Sequence, residues 1–264
     1  LAAIEAEWHT EEAPAAFTVI GIPNQEAMRT DYAIKIPYVM GIIATRSLDK
    51  QVTGLTDLVK QHEDRIRNGM QAYALLNKLQ AGDKSEETVK AFNAVKTDLG
   101  YGLLLKRYTA NITDATDEQI AMAAKDSIPN VAPVFFAFRI MVGVGILMLL
   151  LIGIAFFDSA RHRIGERKWL LKALLWGIPL PWIAIECGWF VAEYGRQPWT
   201  IAEVLPTFMS ASTLSEADLW FSLIGICSFY TVLLVVEMFL MFKFARKGPS
   251  SLKTGKYHFE THSA

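Results

Sequence analysis

The chain has 264 residues, enough for one or two domains, and 52% of them are hydrophobic. Its formal net charge is −1, which excludes the strongly basic surface that nucleic-acid binding requires, so we expect no nucleic-acid partner. Nearly all of the apolar excess follows residue 130, which predicts a polar N-terminal region and then a membrane-embedded one. The chain begins with Leu1 rather than Met, and we expect it to be a piece of a longer protein.

The polar N-terminal region, residues 1–130, is predicted to be mainly helical in its second half. Thr53 or Thr56 is a candidate N-cap for a long helix that ends near residue 80. Ser85 precedes a second helix with an acidic start, and Thr116 begins a capping box for a third. Residues 17–44 combine β-branched residues with prolines, which favours irregular structure or short strands.

Three apolar segments are long enough to cross a bilayer, which takes about 20 helical residues. Residues 140–157 contain no charge, and residues 173–192 contain one acid, Glu186, with two prolines that predict a kink. Residues 219–242 also contain a single acid, Glu237. The sequence therefore predicts three transmembrane helices.

The positions of Lys and Arg between these segments predict the orientation. Residues 158–168 carry four bases and residues 243–256 carry five, whereas residues 193–218 carry only Arg196. The first loop and the C-terminal tail are thus expected in the cytoplasm. The predicted fold class is an all-α membrane protein: three transmembrane helices plus a mainly helical extracytoplasmic loop domain. Its segments are an extracytoplasmic region (1–130), a helix (131–157), a cytoplasmic loop (158–168), a helix (169–192), an extracytoplasmic loop (193–218), a helix (219–242) and a cytoplasmic tail (243–264).

Ionisable residues within membrane segments are candidate functional residues, because an unpaired charge in lipid costs several kcal/mol. Arg139 and Glu193 lie near the predicted interface, where snorkelling or simple ion pairing is an equal alternative. Glu186 and Glu237 lie deeper, where hydrogen bonding between helices is as good an account as a proton path. Composition and spacing do not name a reaction, and a three-helix membrane sensor or assembly factor without enzymatic activity fits them as well.

The densest group of aromatic and charged residues is at 188–199, Gly-Trp-Phe-Val-Ala-Glu-Tyr-Gly-Arg-Gln-Pro-Trp. Glu193 and Arg196 are three residues apart and can pair on one helix face. The aromatics Trp189, Tyr194 and Trp199 are typical of a membrane interface, but that does not explain the acid and base between them. Such a mixture suits a flat, charged cofactor near the membrane surface.

This stretch closely resembles the signature of subunit I of the cytochrome bd quinol oxidases. Further stretches are similar to that family and spread the resemblance over essentially the whole chain: residues 1–8, 41–46, 65–69, 100–108, 137–141 and 248–259. The resemblance identifies the chain as the C-terminal half of the subunit, with the later part of its periplasmic quinol loop and its last three membrane helices.

The resemblance implies roles for six residues. Glu5 would bind quinol, Met141 would ligate the low-spin haem b558, and Glu193 would be the carboxylate of the high-spin haem b595. A thioether suits such a ligand because it favours reduced iron. The remaining residues would form the haem environment and contact propionates: Arg139, Trp189 and Arg196.

The resemblance also implies a respiratory enzyme of the bacterial inner membrane. Ubiquinol or menaquinol would be oxidised at the outer face, and electrons would pass through haems b558, b595 and d to reduce O2 to water without proton pumping. The expected partners are subunit II, a small single-helix subunit, membrane lipid and the N-terminal half of the same subunit. In this family that half supplies the histidine ligands, so the chain alone is not expected to be active.

Overall fold

The computed structural model describes residues 1–13, 15–40 and 51–247. Two of the stretches that carry the family resemblance, 41–46 and 248–259, lie outside the described residues. The chain divides into two units at residue 210. The first unit contains the extramembrane domain and the first two membrane spans, and the second contains the third span.

The extramembrane domain is mainly helical, as predicted, and also contains a β-hairpin. Its elements in chain order are α1 (Ala2–Glu5), β1 (Phe17–Asn24), β2 (Arg29–Ile36), α2 (Leu55–Gln80), α3 (Glu86–Val95), α4 (Leu99–Leu103) and α5 (Asp117–Asp126). The antiparallel hairpin β1–β2 falls where the sequence favoured irregular structure or short strands. Buried side chains from α2, α4, α5 and the turns between them form the core: Ile66, Tyr101, Leu105, Ile112 and Ile120.

The helix starts show which capping predictions are confirmed. The Ser85 side chain accepts a hydrogen bond from the Thr88 N–H at 3.4 Å, and Thr116 forms the predicted capping box. For α2 the prediction was wrong, because Gly54 occupies the N-cap position. A Cβ at Gly54 would lie 2.3 Å from the carbonyl carbon of His9, so no side-chain cap fits at this close approach of two backbone segments.

Among the described residues, three helical segments are long and apolar enough to span a membrane, which confirms the sequence prediction. The first span is α6 (Val131–Ala160). The second is divided into α7 (Lys168–Trp176) and α8 (Leu180–Tyr194), with Pro179 at the N-cap of α8. The break confirms the predicted kink, since proline removes a backbone donor and clashes with the preceding turn.

The spans α6 and α8 pack against each other in antiparallel orientation. A Cβ at Gly195 would contact Cγ1 of Val134 at 3.7 Å, and a Cβ at Gly188 would lie 3.1 Å from Sδ of Met141. Arg139 lies between these two levels. The antiparallel register therefore puts Arg139 within about one helical turn of Glu193 along the helix axes.

The loop after α8 returns to the extramembrane domain. It contains the short pair β3 (Trp199–Ile201) and β4 (Leu205–Pro206). Trp199 is only 7% exposed and its ring lies 5.1 Å from that of Tyr101. Its interpretation as an interfacial aromatic was therefore wrong, because the chain turns back at Gly195 and buries the indole in the domain core.

The third span, α9 (Glu216–Lys247), is a single helix with its apolar side chains exposed along its length. Glu237 lies on this surface. In the first unit, Glu186 is likewise on an exposed surface of α8. Neither placement decides between a structural hydrogen bond and a proton path.

Candidate functional site

The most strongly built polar site joins α1 to the first membrane span. Nη2 of Arg139 donates to Oε2 of Glu5 at 2.9 Å and also to the Thr18 carbonyl. Nη1 donates to the carbonyls of Ile4 at 2.8 Å and Phe135 at 3.1 Å. The Phe135 ring lies under the guanidinium, 3.3 Å from Cζ to the ring centroid. The planar guanidinium of arginine has five N–H donors in a fixed geometry and can therefore bind a carboxylate and several carbonyls at once, which a lysine could not do.

The Glu5–Arg139 pair is almost fully enclosed. Glu5 is 2% exposed, and its burial raises the pKa of its carboxyl, while the charge of Arg139 opposes that rise. Oε1 of Glu5 and Nε of Arg139 are buried without a hydrogen-bond partner among the described residues. Because buried polar atoms nearly always have partners, this carboxylate oxygen is a candidate acceptor for a donor that is not among the described residues.

A mainly apolar cavity lies in the same domain. It has a volume of about 210 Å³; its apolar lining is Trp8, Met28, Leu55, Val59 and Ile128, and its polar lining is Gln25, Thr56, Lys125 and Asp126. Glu5 and Arg139 are not among the lining residues. Trp8 and Leu55 of the lining belong to the same buried cluster as Phe135, whose ring contacts the guanidinium of Arg139.

Met141 lies two residues beyond Arg139, at the contact between α6 and α8. Its Sδ faces Gly188, where a Cβ would lie only 3.1 Å away. The sulfur therefore packs closely against the glycine, and a side chain at position 188 would crowd it. A thioether is a known type of haem iron ligand, and Trp189 is 63% exposed on the same turn of α8.

The second candidate pair lies at the end of α8. Nη2 of Arg196 and Oε1 of Glu193 are 3.3 Å apart, and both side chains are nearly half exposed. The predicted i, i+3 pairing is therefore present. Its exposure leaves both groups accessible, the carboxylate for a cation and the guanidinium for an acid such as a propionate.

Sequence reasoning missed a polar cluster that attaches the loop after α8 to the domain. Arg65 on α2 pairs with Asp98 at 2.7 Å and with Glu203 at 3.0 Å. Its guanidinium lies 4.1 Å from the centroid of the Tyr101 ring, and burial raises the pKa of Tyr101 to about 12. Residues 65–69 and 100–108 carried the family resemblance without a role, and this contact gives them one.

A second missed cluster lies near Glu5. Oε2 of Glu7 is 3.7 Å from Nζ of Lys35 on β2, and Lys35 also pairs with Glu11. Glu7 is 5% exposed. Its burial raises its pKa to about 7, against the charge of Lys35 and with the help of the neighbouring Glu11 carboxyl. No sequence signal separated Glu7 from a solvated acid, because its lysine partner is 28 positions away.

The described parts of the chain contain no group of three or more His, Cys, Asp or Glu residues arranged to hold a metal ion. The predicted site residues instead fall into three groups: Glu5 with Arg139, Met141 beside Gly188, and Glu193 with Arg196. The first group joins α1 to α6, the second lies at the contact of α6 with α8, and the third lies at the end of α8. Trp189 follows Gly188 on α8.

These features define a class: a three-span membrane subunit whose helical extramembrane domain is joined to the first span by a buried ion pair. The family described as "Cytochrome bd terminal oxidase subunit I" matches residues 1–249. The chain therefore belongs to that family, which favours the oxidase hypothesis over the membrane sensor or assembly factor.

Two relatives show how far the similarity extends. The chain is 46% identical to "Cytochrome bd-II ubiquinol oxidase subunit 1" of Escherichia coli (strain K12) over 254 residues, 96% of this chain and 49% of that protein. It is 24% identical to "Cytochrome bd ubiquinol oxidase subunit 1" of Bacillus subtilis (strain 168) over 249 residues, 94% of this chain and 41% of that protein. The chain thus spans about half the length of these relatives.

Proposed function

We propose that the chain forms part of a terminal oxidase subunit that oxidises ubiquinol or menaquinol and, in the intact complex, reduces O2 to water. Membership of the family supports this proposal, and the names of the two relatives support the quinol substrate. The observation that carries it is the buried Glu5–Arg139 pair with one unpartnered carboxylate oxygen.

In this proposal Glu5 accepts a hydrogen bond, and then a proton, from a quinol hydroxyl. Arg139 occupies Oε2, which leaves Oε1 for the substrate. A general base works best when its pKa lies near the operating pH, and burial raises the pKa of Glu5 in that direction. Arg139 keeps the carboxylate oriented, since three backbone carbonyls fix its guanidinium.

We assign the quinol ring to the apolar cavity lined by Trp8, Leu55 and Val59. Small-molecule sites are concave and mostly apolar, with a few polar groups that orient the ligand. The cavity would supply the apolar part, and the buried cluster that contains both Trp8 and Phe135 connects it to the Arg139–Glu5 pair, which would supply the polar part.

Met141 would hold the low-spin haem b558, and Glu193 with Arg196 and Trp189 would hold the high-spin haem b595 and its propionates. Haem iron supplies the one-electron chemistry that passes quinol electrons on towards haem d and O2. Gly188 lets the Met141 sulfur approach α8 closely. Arg139 precedes Met141 by two residues on the same helix and would carry its positive charge on the side of the proposed quinol site.

The proposal also includes the orientation of the chain across the membrane. The basic residues of 158–168 support a cytoplasmic position for that loop, so the extramembrane domain and the quinol face would be periplasmic in the bacterial inner membrane. Quinol protons would then be released outside, while the protons consumed in O2 reduction would be taken up from the cytoplasm, and this would generate a membrane potential without pumping. The proposed partners are subunit II, a small single-helix subunit and the N-terminal half of this subunit, which would complete the haem ligation.

The test is Glu5→Gln in the full-length subunit, which retains the side-chain volume and removes the base. Quinol oxidation per haem should fall by roughly 10²-fold or more, while O2 reduction with an artificial electron donor that bypasses quinol is retained. Glu12→Gln, an exposed acid in the same segment, is the matched control and should retain both activities. A parallel loss of both activities in Glu5→Gln would make Glu5 structural and contradict the proposal.

A further inference from the structure

The β-hairpin presents an unusual outer face. One face of an antiparallel sheet that meets water is normally polar, yet four isoleucines here are about half exposed or more. They form what we call the isoleucine face: Ile20 (61%), Ile22 (55%), Ile34 (60%) and Ile36 (48%). Ile20 and Ile34 are directly paired across the two strands, between two shifts of the strand register, so these two side chains are neighbours at the centre of the face.

Two hydrogen bonds fix the height of this hairpin along α6. The Thr18 carbonyl near the start of β1 accepts from Arg139, and Oε1 of Gln25 in the turn accepts from the Val131 N–H at 3.0 Å. Val131 and Arg139 are eight residues apart, about 12 Å along a helix. The seven residues from Thr18 to Gln25 would extend about 23 Å as a strand. The hairpin therefore rises by no more than about half its length and lies at a shallow angle to the membrane plane.

We place the edge of the membrane core at Arg139, because Val131, Val134 and Phe135, which precede it on α6, are fully buried against protein. The uncharged run that follows it, residues 140–157, is about 27 Å long as a helix. This length nearly fills a hydrocarbon core about 30 Å thick, beyond which each headgroup layer adds about 5–7 Å. The open end of the hairpin, with Ile36 paired to Phe17, is thus at the level of the headgroups.

We propose that the isoleucine face docks onto the lipid bilayer and inserts into the headgroup and upper acyl region beside the first span. Lipid is the occupant because the face is apolar and because the hairpin is bonded to the membrane span at both Val131 and Arg139, which puts it at the depth of the interface. Amphipathic elements bind there by burying an apolar face at the boundary between headgroups and acyl chains. The proposal requires that α6 spans the membrane, and it does not depend on quinol binding at Glu5.

The test uses the full-length subunit in its complex, reconstituted in vesicles of phosphatidylcholine and phosphatidylglycerol. Spin labels are attached to Ile20→Cys and Ile34→Cys in a background without native cysteines. Glu26→Cys, in the hairpin turn and exposed, is the matched control. Power saturation then compares the accessibility of each label to oxygen, which concentrates in lipid, and to a water-soluble nickel chelate.

Labels at positions 20 and 34 should be several-fold more accessible to oxygen than to the nickel chelate, and the label at position 26 should show the reverse. Equal nickel accessibility at all three positions would mean that the face meets water and would overturn the proposal. Low accessibility to both reagents at positions 20 and 34 would show that protein covers the face, and would also overturn it. Agreement between the labels at positions 20 and 34 would show that the result does not arise from one label that perturbs the hairpin.

Discussion

The burial of the Glu5–Arg139 pair predicts the size of the coupling between substitutions of these two residues in the free energy of unfolding. Glu5→Gln removes one charge while it keeps an oxygen that can accept from Arg139, and Arg139→Gln removes the other charge. Each single variant leaves one charge enclosed without its counter-ion. The double variant leaves neither.

The expected magnitude follows from burial. The side chains are 2% and 14% exposed, and loss of one partner from a buried pair costs about 3–5 kcal/mol. Arg139→Gln also leaves backbone carbonyls without their donor, at about 1–3 kcal/mol for each that remains unsatisfied. The two substitutions should be non-additive, and we expect a coupling energy of about 2–3 kcal/mol.

The assay is a double-mutant cycle on the purified full-length complex, unfolded in mixed micelles with an increasing fraction of SDS. Arg67 and Asp117 serve as the control, since they pair at 2.8 Å between α2 and α5 but are 49% and 84% exposed. Their coupling should be below about 1 kcal/mol. If the Glu5–Arg139 coupling is as small as that of the control pair, burial does not enforce the pairing and the argument for an oriented carboxylate fails.

Two further predictions concern haem ligation and pH. Met141→Leu in the full-length subunit should abolish the α-band of the reduced low-spin haem, and an unchanged band in a dithionite-reduced minus oxidised spectrum would refute the ligand assignment. Burial raises the pKa of Glu7 to about 7 from 4.5, so the folded protein binds more protons than the unfolded one between these pH values. The free energy of unfolding should therefore fall as pH rises through this window, by on the order of 3 kcal/mol. Glu7→Gln should flatten this dependence and Glu12→Gln should not, whereas a wild-type pH profile in Glu7→Gln would show that another group titrates.

The sequence predicted those parts of the fold that depend on local chemistry. Membrane spans follow from runs of apolar residues, because every polar group in lipid must be satisfied within the helix. The break near Pro179 and the caps at Ser85 and Thr116 follow from single residues and their neighbours. These features need no knowledge of distant parts of the chain.

Contacts between distant residues could not be predicted in this way. Glu5 and Arg139 are 134 positions apart, and each had a separate predicted role, in quinol binding and in the haem environment. Trp199 was given an interfacial position because aromatic residues at a helix end are typical of one. Only the return of the loop to Tyr101 makes it a core residue, and no local pattern encodes that return.

The contact between Arg139 and Glu5 joins the residue predicted to bind quinol to the residue predicted to lie in the haem environment. A charge near the end of a membrane span was equally compatible with snorkelling, but a snorkelling arginine would reach water, whereas this guanidinium is enclosed by protein groups on both sides. Its charge is balanced by Glu5 on the extramembrane side, and Met141 lies two residues further into the span. Protonation of Glu5 would thus change the net charge of the pair at a position two residues along the helix from the proposed haem ligand. The proposed proton acceptor and the proposed haem ligand would therefore be linked through Arg139 without any movement of the fold.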